Sequence, residues 1–199
     1  MTVGIFGGSF DPVHNGHLQL ARYALAHAGL DEVWLMVSPR NPLKLHATVA
    51  TDSQRLEMAR IAVEDIPGIR VSDFEFSLPR PSYSWLTLSR LHAAYPGISF
   101  RLIIGGDNWA DFERWKNPDL IRSQFGVIVY PRPGESIPNP PAGVAILSDA
   151  PQMQVSSTEI RHLLACPPPD SLQRLRQLLP PPVLDYILDH NIYTGDTNP

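Results

Sequence analysis

The chain has one cysteine in 199 residues, Cys166, so it can form no internal disulfide. It has no apolar run of about 18 residues, which excludes a membrane-spanning helix. It has no basic surplus either: 16 Lys and Arg stand against 20 Asp and Glu, a formal net charge of −4. A broad electrostatic footprint for nucleic acid or anionic lipid is therefore absent, and any anionic ligand must be gripped locally. No Gly-Lys pair occurs, which removes the P-loop. The dinucleotide fingerprint fails as well. Phe6 stands where a second glycine would follow Gly4, and the second expected strand runs into Ser38-Pro39-Arg40 without an acidic ribose ligand. His-x-x-His occurs, but not with a complete zinc-ligand set at usable spacing. A strand expected from Val3 leaves no room for a signal peptide, so a cytoplasmic location is expected. At 43% hydrophobic and 18% charged residues, the composition supports a buried core and one compact domain.

Proline, by contrast, is abundant: 21 residues in all, concentrated in the last third as loop punctuation. Periodicity predicts strands at Val3–Phe6, Val33–Val37, Phe100–Ile104, Val127–Tyr130 and Val144–Leu147, with a short extended piece at Val71–Phe76. Helices are predicted over His17–Ala28, Gln54–Glu64, Ser84–Tyr95, Asn117–Ser123, Ser157–Ala165 and about Pro182–Asp189. Continuous apolar strands alternating with helices, without Asn-Gly hairpin signals, call for an α/β fold: a doubly wound, Rossmann-like parallel sheet with helices on both faces. Such sheets bind ligands beyond the carboxyl ends of their strands. The loops that matter are then Gly7–Gly16, Ser38–Thr51, Gly105–Trp115 and Pro131–Gly134.

The first of these, Gly7-Gly8-Ser9-Phe10-Asp11-Pro12-Val13-His14-Asn15-Gly16-His17, suits phosphate chemistry. Glycines let the backbone approach a ligand with its N–H groups free. His17 lies where a helix begins, so a phosphate beside it meets the positive end of that helix, and His14 can reach the same oxygens. Read only as structure, the glycines are a turn. A second cluster lies at Ser156-Ser157-Thr158-Glu159-Ile160-Arg161. Ser156 and Glu159 form a capping-box pattern, which accounts for both as structure. Thr158 and Arg161, one turn apart, are left over, and hydroxyl, helix-end N–H groups and guanidinium can converge on one phosphate.

Gly8-Ser9-Phe10-Asp11-Pro12 followed by His14-Asn15-Gly16-His17 resembles the H-x-G-H signature of the nucleotidyltransferase superfamily, and specifically the bacterial nicotinate-nucleotide adenylyltransferases. The likeness continues in order through Ser38-Pro39-Arg40-Asn41-Pro42-Leu43-Lys44, Pro81-Ser82-Tyr83-Ser84, Gly105-Gly106-Asp107-Asn108, Trp115, Arg132-Pro133-Gly134 and Val155 to Arg161. It implies one nucleotidyltransferase domain over 1–199, with the helical part at about 156–190 completing the site. It implies that ATP is bound by Gly7, Gly8, Ser9, Phe10, His14, Gly16, His17, Gly105, Asp107, Arg132, Ser156, Thr158 and Arg161, with Ser156, Thr158 and Arg161 on the triphosphate and Asp107 on the ribose. Nicotinate mononucleotide is implied at Asn41, Lys44, Tyr83, Ser84 and Trp115, its pyridine stacked on the tryptophan. Ser84 replaces a frequent threonine, and Trp85-Leu86-Thr87 lacks an acidic residue often found there, so the choice of acid over amide is left open.

The implied reaction is adenylyl transfer from ATP to the mononucleotide phosphate, giving nicotinate adenine dinucleotide and pyrophosphate, a step of NAD biosynthesis. That nucleophile is already anionic, so alignment and charge neutralisation suffice. His14, His17 and Arg161 are the expected catalytic groups, and Mg²⁺ is expected to ride on the triphosphate without protein ligands. The partners implied are ATP and the mononucleotide, with no nucleic acid and no membrane. An adenylyl- or cytidylyltransferase acting on another phosphorylated acceptor is the alternative within the superfamily. An NADP-binding oxidoreductase or dinucleotide sensor, with Arg40 on a 2′-phosphate, is the alternative outside it, and the missing fingerprint counts against that.

Overall fold

A computed structural model describes residues 1–39, 50–131, 137, 139–151 and 154–194. Six strands form one sheet in the order β3-β2-β1-β4-β5-β6. They are β1 (Thr2–Gly8), β2 (Glu32–Val37), β3 (Ile69–Ser72), β4 (Ser99–Gly105), β5 (Val127–Tyr130) and β6 (Val144–Ile146). Every neighbouring pair is parallel. The chain winds outward from β1 in one direction through β2 and β3, then returns to lay β4 on the other side of β1. That reversal opens a crevice between the carboxyl ends of β1 and β4, the usual ligand position of such sheets.

The apolar strands divide by residue parity, because successive side chains point to opposite faces. Val33, Leu35 and Val37 enter one core with Phe6, Ile103 and Ile128. Trp34 and Met36 enter the other with Val3, Ile5, Leu102 and Ile104. The first face is covered by α1 (Asn15–His27) and α2 (Asp52–Val63), and the second by α3 (Ser84–Ala94). After β4 come α4 (Gly106–Ala110), a 3₁₀ turn Phe112–Arg114, α5 (Pro118–Leu120) and a π turn Ile121–Phe125, with Phe112 and Ile121 closing the second core. The final helices, α6 (Ser157–Ala165), α7 (Ser171–Leu178) and α8 (Pro181–Asp189), return to the first face, where α7 meets α1 and α8 meets α2. This return brings a segment about 150 residues downstream back to the first loop.

The expected doubly wound architecture is observed, and three local expectations are corrected. Val71–Phe76 is not one extended piece: β3 ends at Ser72 and Phe74–Ser77 is a 3₁₀ turn that places Glu75 inward. Between the two expected closing helices lies a third, α7, whose Leu175 and Leu178 are buried. The three prolines at 167–169 marked this stretch as loop, although the helix begins only at Ser171, beyond them. The capping box at Ser156 is realised in one direction only. Ser156 Oγ accepts from the Glu159 N–H at 3.1 Å, whereas the Glu159 carboxylate reaches Arg174 at 3.3 Å.

Candidate active site

The first loop leaves β1 at Gly8 and turns through Phe10, which has φ +46 and is buried. A bulky residue in the left-handed region is strained and persists only where its surroundings hold it. Here the Phe10 ring packs edge-on against Phe6 at 5.8 Å and against His17 at 5.0 Å. A Cβ on Gly8 would lie 3.1 Å from the Phe10 ring. Gly7 is exposed, with nothing within 4 Å of the place a Cβ would take, so it borders open space.

Three carbonyls of this loop are tied by donors from distant helices. Ser9 O accepts from Arg55 of α2, a buried guanidinium that also pairs with Asp52 at 2.7 Å. Asp11 O accepts from Arg161 Nη1 at 2.7 Å, and Pro12 O from the Ser157 hydroxyl at 3.0 Å. Arg161 Nη2 donates in turn to Thr158 Oγ1 at 3.2 Å. The two motifs that the sequence separates by about 150 residues are therefore one hydrogen-bonded unit. Gly16 permits the contact: a Cβ there would stand 2.8 Å from Val155 Cγ1 and 3.1 Å from the His14 ring.

His14 and His17 stack with ring centroids 3.6 Å apart and an interplanar angle of 20°. The His14 N–H donates to His17 Nδ1 at 3.2 Å, so a neutral His17 carries its proton on Nε2 and can donate from there. Burial lowers the His14 pKa to about 4. Burial, and then repulsion from His14, holds His17 well below its ordinary range. Both rings are neutral at pH 7 in the free protein, and an anion placed beside them would favour their charged forms. His14 Nδ1 is buried without a hydrogen-bond partner among the described residues. That atom faces the first turn of α1, 3.1 Å from the place a Cβ on Gly16 would take, so the ring is fixed by the helix start.

Beside the loop, a cleft of about 460 Å³ opens over the crevice between β1 and β4, of a size for a nucleotide-like molecule. Gly7, Gly8 and Gly105 form its floor, Ser84 and Trp115 stand on its wall, and Tyr130 joins at the β5 end. Trp115 ends the 3₁₀ turn and packs at 45° on Phe112, leaving the cleft-lining part of the indole for a ligand. Tyr83, half exposed, carries Lys116 Nζ 5.1 Å above its ring and borders a smaller neighbouring cleft with Ser84 and Trp115. Tyr83 stands at the position preceding α3 and makes no side-chain hydrogen bond to its first turn. A Cβ on Gly105 would sit 2.6 Å from Asp107 Oδ1 and 3.1 Å from Tyr130 OH. Asp107 does not occupy the capping position of α4, which belongs to Gly105; it lies in the first turn with its carboxylate exposed.

Of the expected site residues, Gly7, Gly8, Ser9, Phe10, His14, Gly16, His17, Ser156, Thr158 and Arg161 gather around the first loop and the start of α6. Gly105, Ser84 and Trp115 gather at the adjoining cleft, with Tyr83 at its rim. Asn41, Lys44 and Arg132 lie outside the described residues. Sequence reasoning missed Arg55, Glu75 and Tyr193. Arg55 had a readable signal, a charge at helical spacing with Met58, Ala59 and Ala62 on the buried side of α2. Glu75 is buried in the cleft wall, accepting from the Thr87 hydroxyl at 2.8 Å and facing Ser82 at 3.5 Å. Tyr193 follows the last helix and had no such signal.

Two phosphate-type motifs joined at the reversal point of a doubly wound parallel sheet define a nucleotide-binding α/β enzyme site. The chain belongs to the family described as cytidylyltransferase-like, which it matches over residues 5–163, and within it to the nicotinate-nucleotide adenylyltransferases. It is 51% identical over 164 residues to the probable nicotinate-nucleotide adenylyltransferase of Bacteroides fragilis, covering 81% of each chain. It is 46% identical over 191 residues to that of Bacteroides thetaiotaomicron, covering 96% of this chain and 92% of the relative. Among solved structures, the Plasmodium falciparum nicotinic acid mononucleotide adenylyltransferase complexed with NaAD superposes with a TM-score of 0.76 at 20% identity, covering 96% of this chain and 97% of that one. That likeness supports the fold.

Proposed function

We propose that this chain transfers the adenylyl group of ATP to nicotinate mononucleotide, releasing nicotinate adenine dinucleotide and pyrophosphate. The observation that carries the reading is the Arg161 hydrogen bond to Asp11 O at 2.7 Å, which puts the cation, the Thr158 hydroxyl, the start of α6 and the histidine pair around one space. The relatives' names point to the same reaction. In the proposed step an oxygen of the acceptor's 5′-phosphate forms a bond to the α-phosphorus of ATP as the bond to the bridging oxygen breaks, and pyrophosphate leaves with that oxygen. No proton need be removed, so the protein's work is alignment and stabilisation of charge.

His17 Nε2–H donates to a reacting phosphate oxygen, and His14, stacked on it, is assigned to the same phosphates. Arg161, Thr158, Ser156 and the N–H groups opening α6 hold the β and γ phosphates, with Ser9 at the loop's exposed side. Gly7 and Gly8 allow close approach of the backbone, Asp107 takes the ribose hydroxyls, and Arg132 is assigned to the phosphates. The donors gathered here are imidazole, guanidinium and hydroxyl, and among the described residues no group of three or more His, Cys, Asp or Glu could hold a metal. This donor set fits phosphate oxygens, and Mg²⁺ would ride on the triphosphate itself, where it would supply charge neutralisation.

The acceptor's pyridine is assigned to Trp115, with Asn41 and Lys44 on the same ligand. The first turn of α3, uncapped by Tyr83 and opening at the cleft through Ser84, offers free N–H groups to the ring carboxylate. Glu75 opposes this with negative charge in the same cleft wall, so preference for acid over amide is the balance of these two. The test measures pyrophosphate release with ATP and either the nicotinate or the nicotinamide mononucleotide, with CTP and other phosphorylated acceptors alongside. Turnover with ATP and nicotinate mononucleotide above the rest is expected. Absence of release with that pair, or a better rate with a non-pyridine acceptor, would overturn the proposal.

A further inference from the structure

We infer that Tyr193, in the segment after the last helix, is a positioning residue for triphosphate binding: its hydroxyl holds the Asp11 carboxylate off the Arg161 guanidinium, so that Arg161 keeps its charge for the substrate. This rests on the reading that Arg161 binds the triphosphate of ATP. Tyr193 lies 30 residues beyond the region matched by the family, which ends at 163.

Asp11 is buried, and its two carboxylate oxygens face different groups. Oδ1 accepts from the Tyr193 hydroxyl at 2.6 Å and from the Ala50 N–H at 3.1 Å. Oδ2 stands 3.9 Å from Arg161 Nη1, within ion-pair range and too far for a hydrogen bond. Arg161 Nη1 is committed instead to the main-chain oxygen of the same residue. A carboxylate and a guanidinium this close would ordinarily rotate into a two-point hydrogen-bonded pair. Such a pair would quench the cation and occupy the N–H groups that a phosphate needs.

Two bonds on Oδ1 prevent that rotation, and Tyr193 makes the shorter. The tyrosine is itself held: it is buried, and its backbone has φ +64, a conformation that a side chain of this size adopts only under constraint. Burial, and then the Asp11 charge, raises its pKa far above the ordinary range, against the opposing pull of Arg161 and Arg55, so it remains a hydroxyl donor at any working pH.

The test combines Tyr193→Phe, Asp11→Asn and the double variant, measured by steady-state kinetics and by calorimetric titration of ATP without acceptor. Removing one hydrogen bond to a buried charge and releasing the carboxylate should weaken ATP binding about tenfold in Tyr193→Phe, while the acceptor KM stays within about twofold. In the Asp11→Asn background, where a neutral amide cannot quench Arg161, adding Tyr193→Phe should leave ATP binding unchanged. A purely structural tyrosine would weaken both substrates alike; that result, or unaltered ATP binding in Tyr193→Phe, overturns the inference. If Tyr193→Phe alone does not fold, the double variant against Asp11→Asn decides it, and a tenfold loss there refutes it. A parent protein that binds ATP but does not transfer its adenylyl group removes the proposed function and leaves this inference standing on the titration. A parent that does not bind ATP removes both.

Discussion

Gly16→Ala sets two effects of opposite sign against each other, and the geometry decides between them. Gly16 lies inside the first turn of α1 with no positive φ, so helix propensity alone favours alanine by up to about 1 kcal/mol. The added methyl, however, would stand 2.8 Å from Val155 Cγ1 and 3.1–3.2 Å from the His14 ring. Val155 is β-branched, stiff at χ1, and cannot swing away as the end of a long side chain could. Overpacking of this kind costs about 1–3 kcal/mol, so the net effect should be a loss of about 0.5–2 kcal/mol, a fall of several degrees in Tm for a chain of this length. Activity should fall further than stability, because the methyl pries the 155–161 segment from the loop and moves Arg161 relative to the histidines. Val155→Ala removes the obstructing methyl, and the double variant should recover stability toward or beyond that of the parent. The assay is chemical denaturation paired with pyrophosphate release. A Gly16→Ala variant as stable and as active as the parent would show that the two motifs do not meet as described.

His17→Ala should lower turnover about 10²–10³-fold, as loss of one preorganised donor to a reacting oxygen does elsewhere, with the folded state checked by circular dichroism; near-parental turnover would remove His17 from the reaction. Folding should become less stable in acid through the histidine pair. The folded pKa of His14, about 4, lies below its ordinary 6.5, so the unfolded chain binds more protons between those values. Stability is complete above about pH 6.5 and lost as pH falls toward 4, by about 3 kcal/mol at about 1.4 kcal/mol per pH unit. Denaturation midpoints of His14→Gln should be flatter over that interval, and identical pH dependence in the two proteins would contradict the burial argument. Trp115→Ala should raise the acceptor KM about tenfold and leave the ATP KM nearly unchanged, on the scale of one lost aromatic stack. Arg55→Met should lower stability by about 1.5–3 kcal/mol, since Ser9 O loses a charged donor, and urea unfolding reads this directly.

What the sequence displayed and what it hid follow from the range of the interactions. The strands were legible because Val33–Val37 and its like are runs buried on both faces, and parity then divides them between two cores without further information. The first loop was legible because glycines, Asp-Pro and a histidine pair stand within eleven residues. Its joining to Thr158 and Arg161 was inferred from resemblance; local pattern cannot supply it, since a hydrogen bond across about 150 residues leaves no periodic trace. Ser156 illustrates the same limit: the local rule correctly placed the start of α6, and a tertiary partner, Arg174, took Glu159 away from its half of the cap. Helix α7 was lost to the prolines before it, although its buried Leu175 and Leu178 stand three residues apart. Tyr193 was unreadable because its meaning lies wholly in Asp11, 182 residues earlier.

The loop's tethers also explain how a chain of formal charge −4 can present a site for a triphosphate. Carbonyl oxygens in a tight turn are themselves negative ends of dipoles and would repel phosphate if they faced it. Here Ser9 O, Asp11 O and Pro12 O are each turned onto a donor: Arg55 from α2, Arg161 from α6 and Ser157 from the start of α6. Two of those donors are guanidinium groups, Arg55 balanced by Asp52 at 2.7 Å and Arg161 standing 3.9 Å from Asp11 Oδ2, so the ties turn the loop's carbonyl oxygens onto donors and seat Arg161 beside the loop. The arrangement depends on α2 and α6 both lying on one face of the sheet, beneath the strand end that carries the loop. A substitution that loosens either helix from that face should therefore weaken ATP binding before it unfolds the protein.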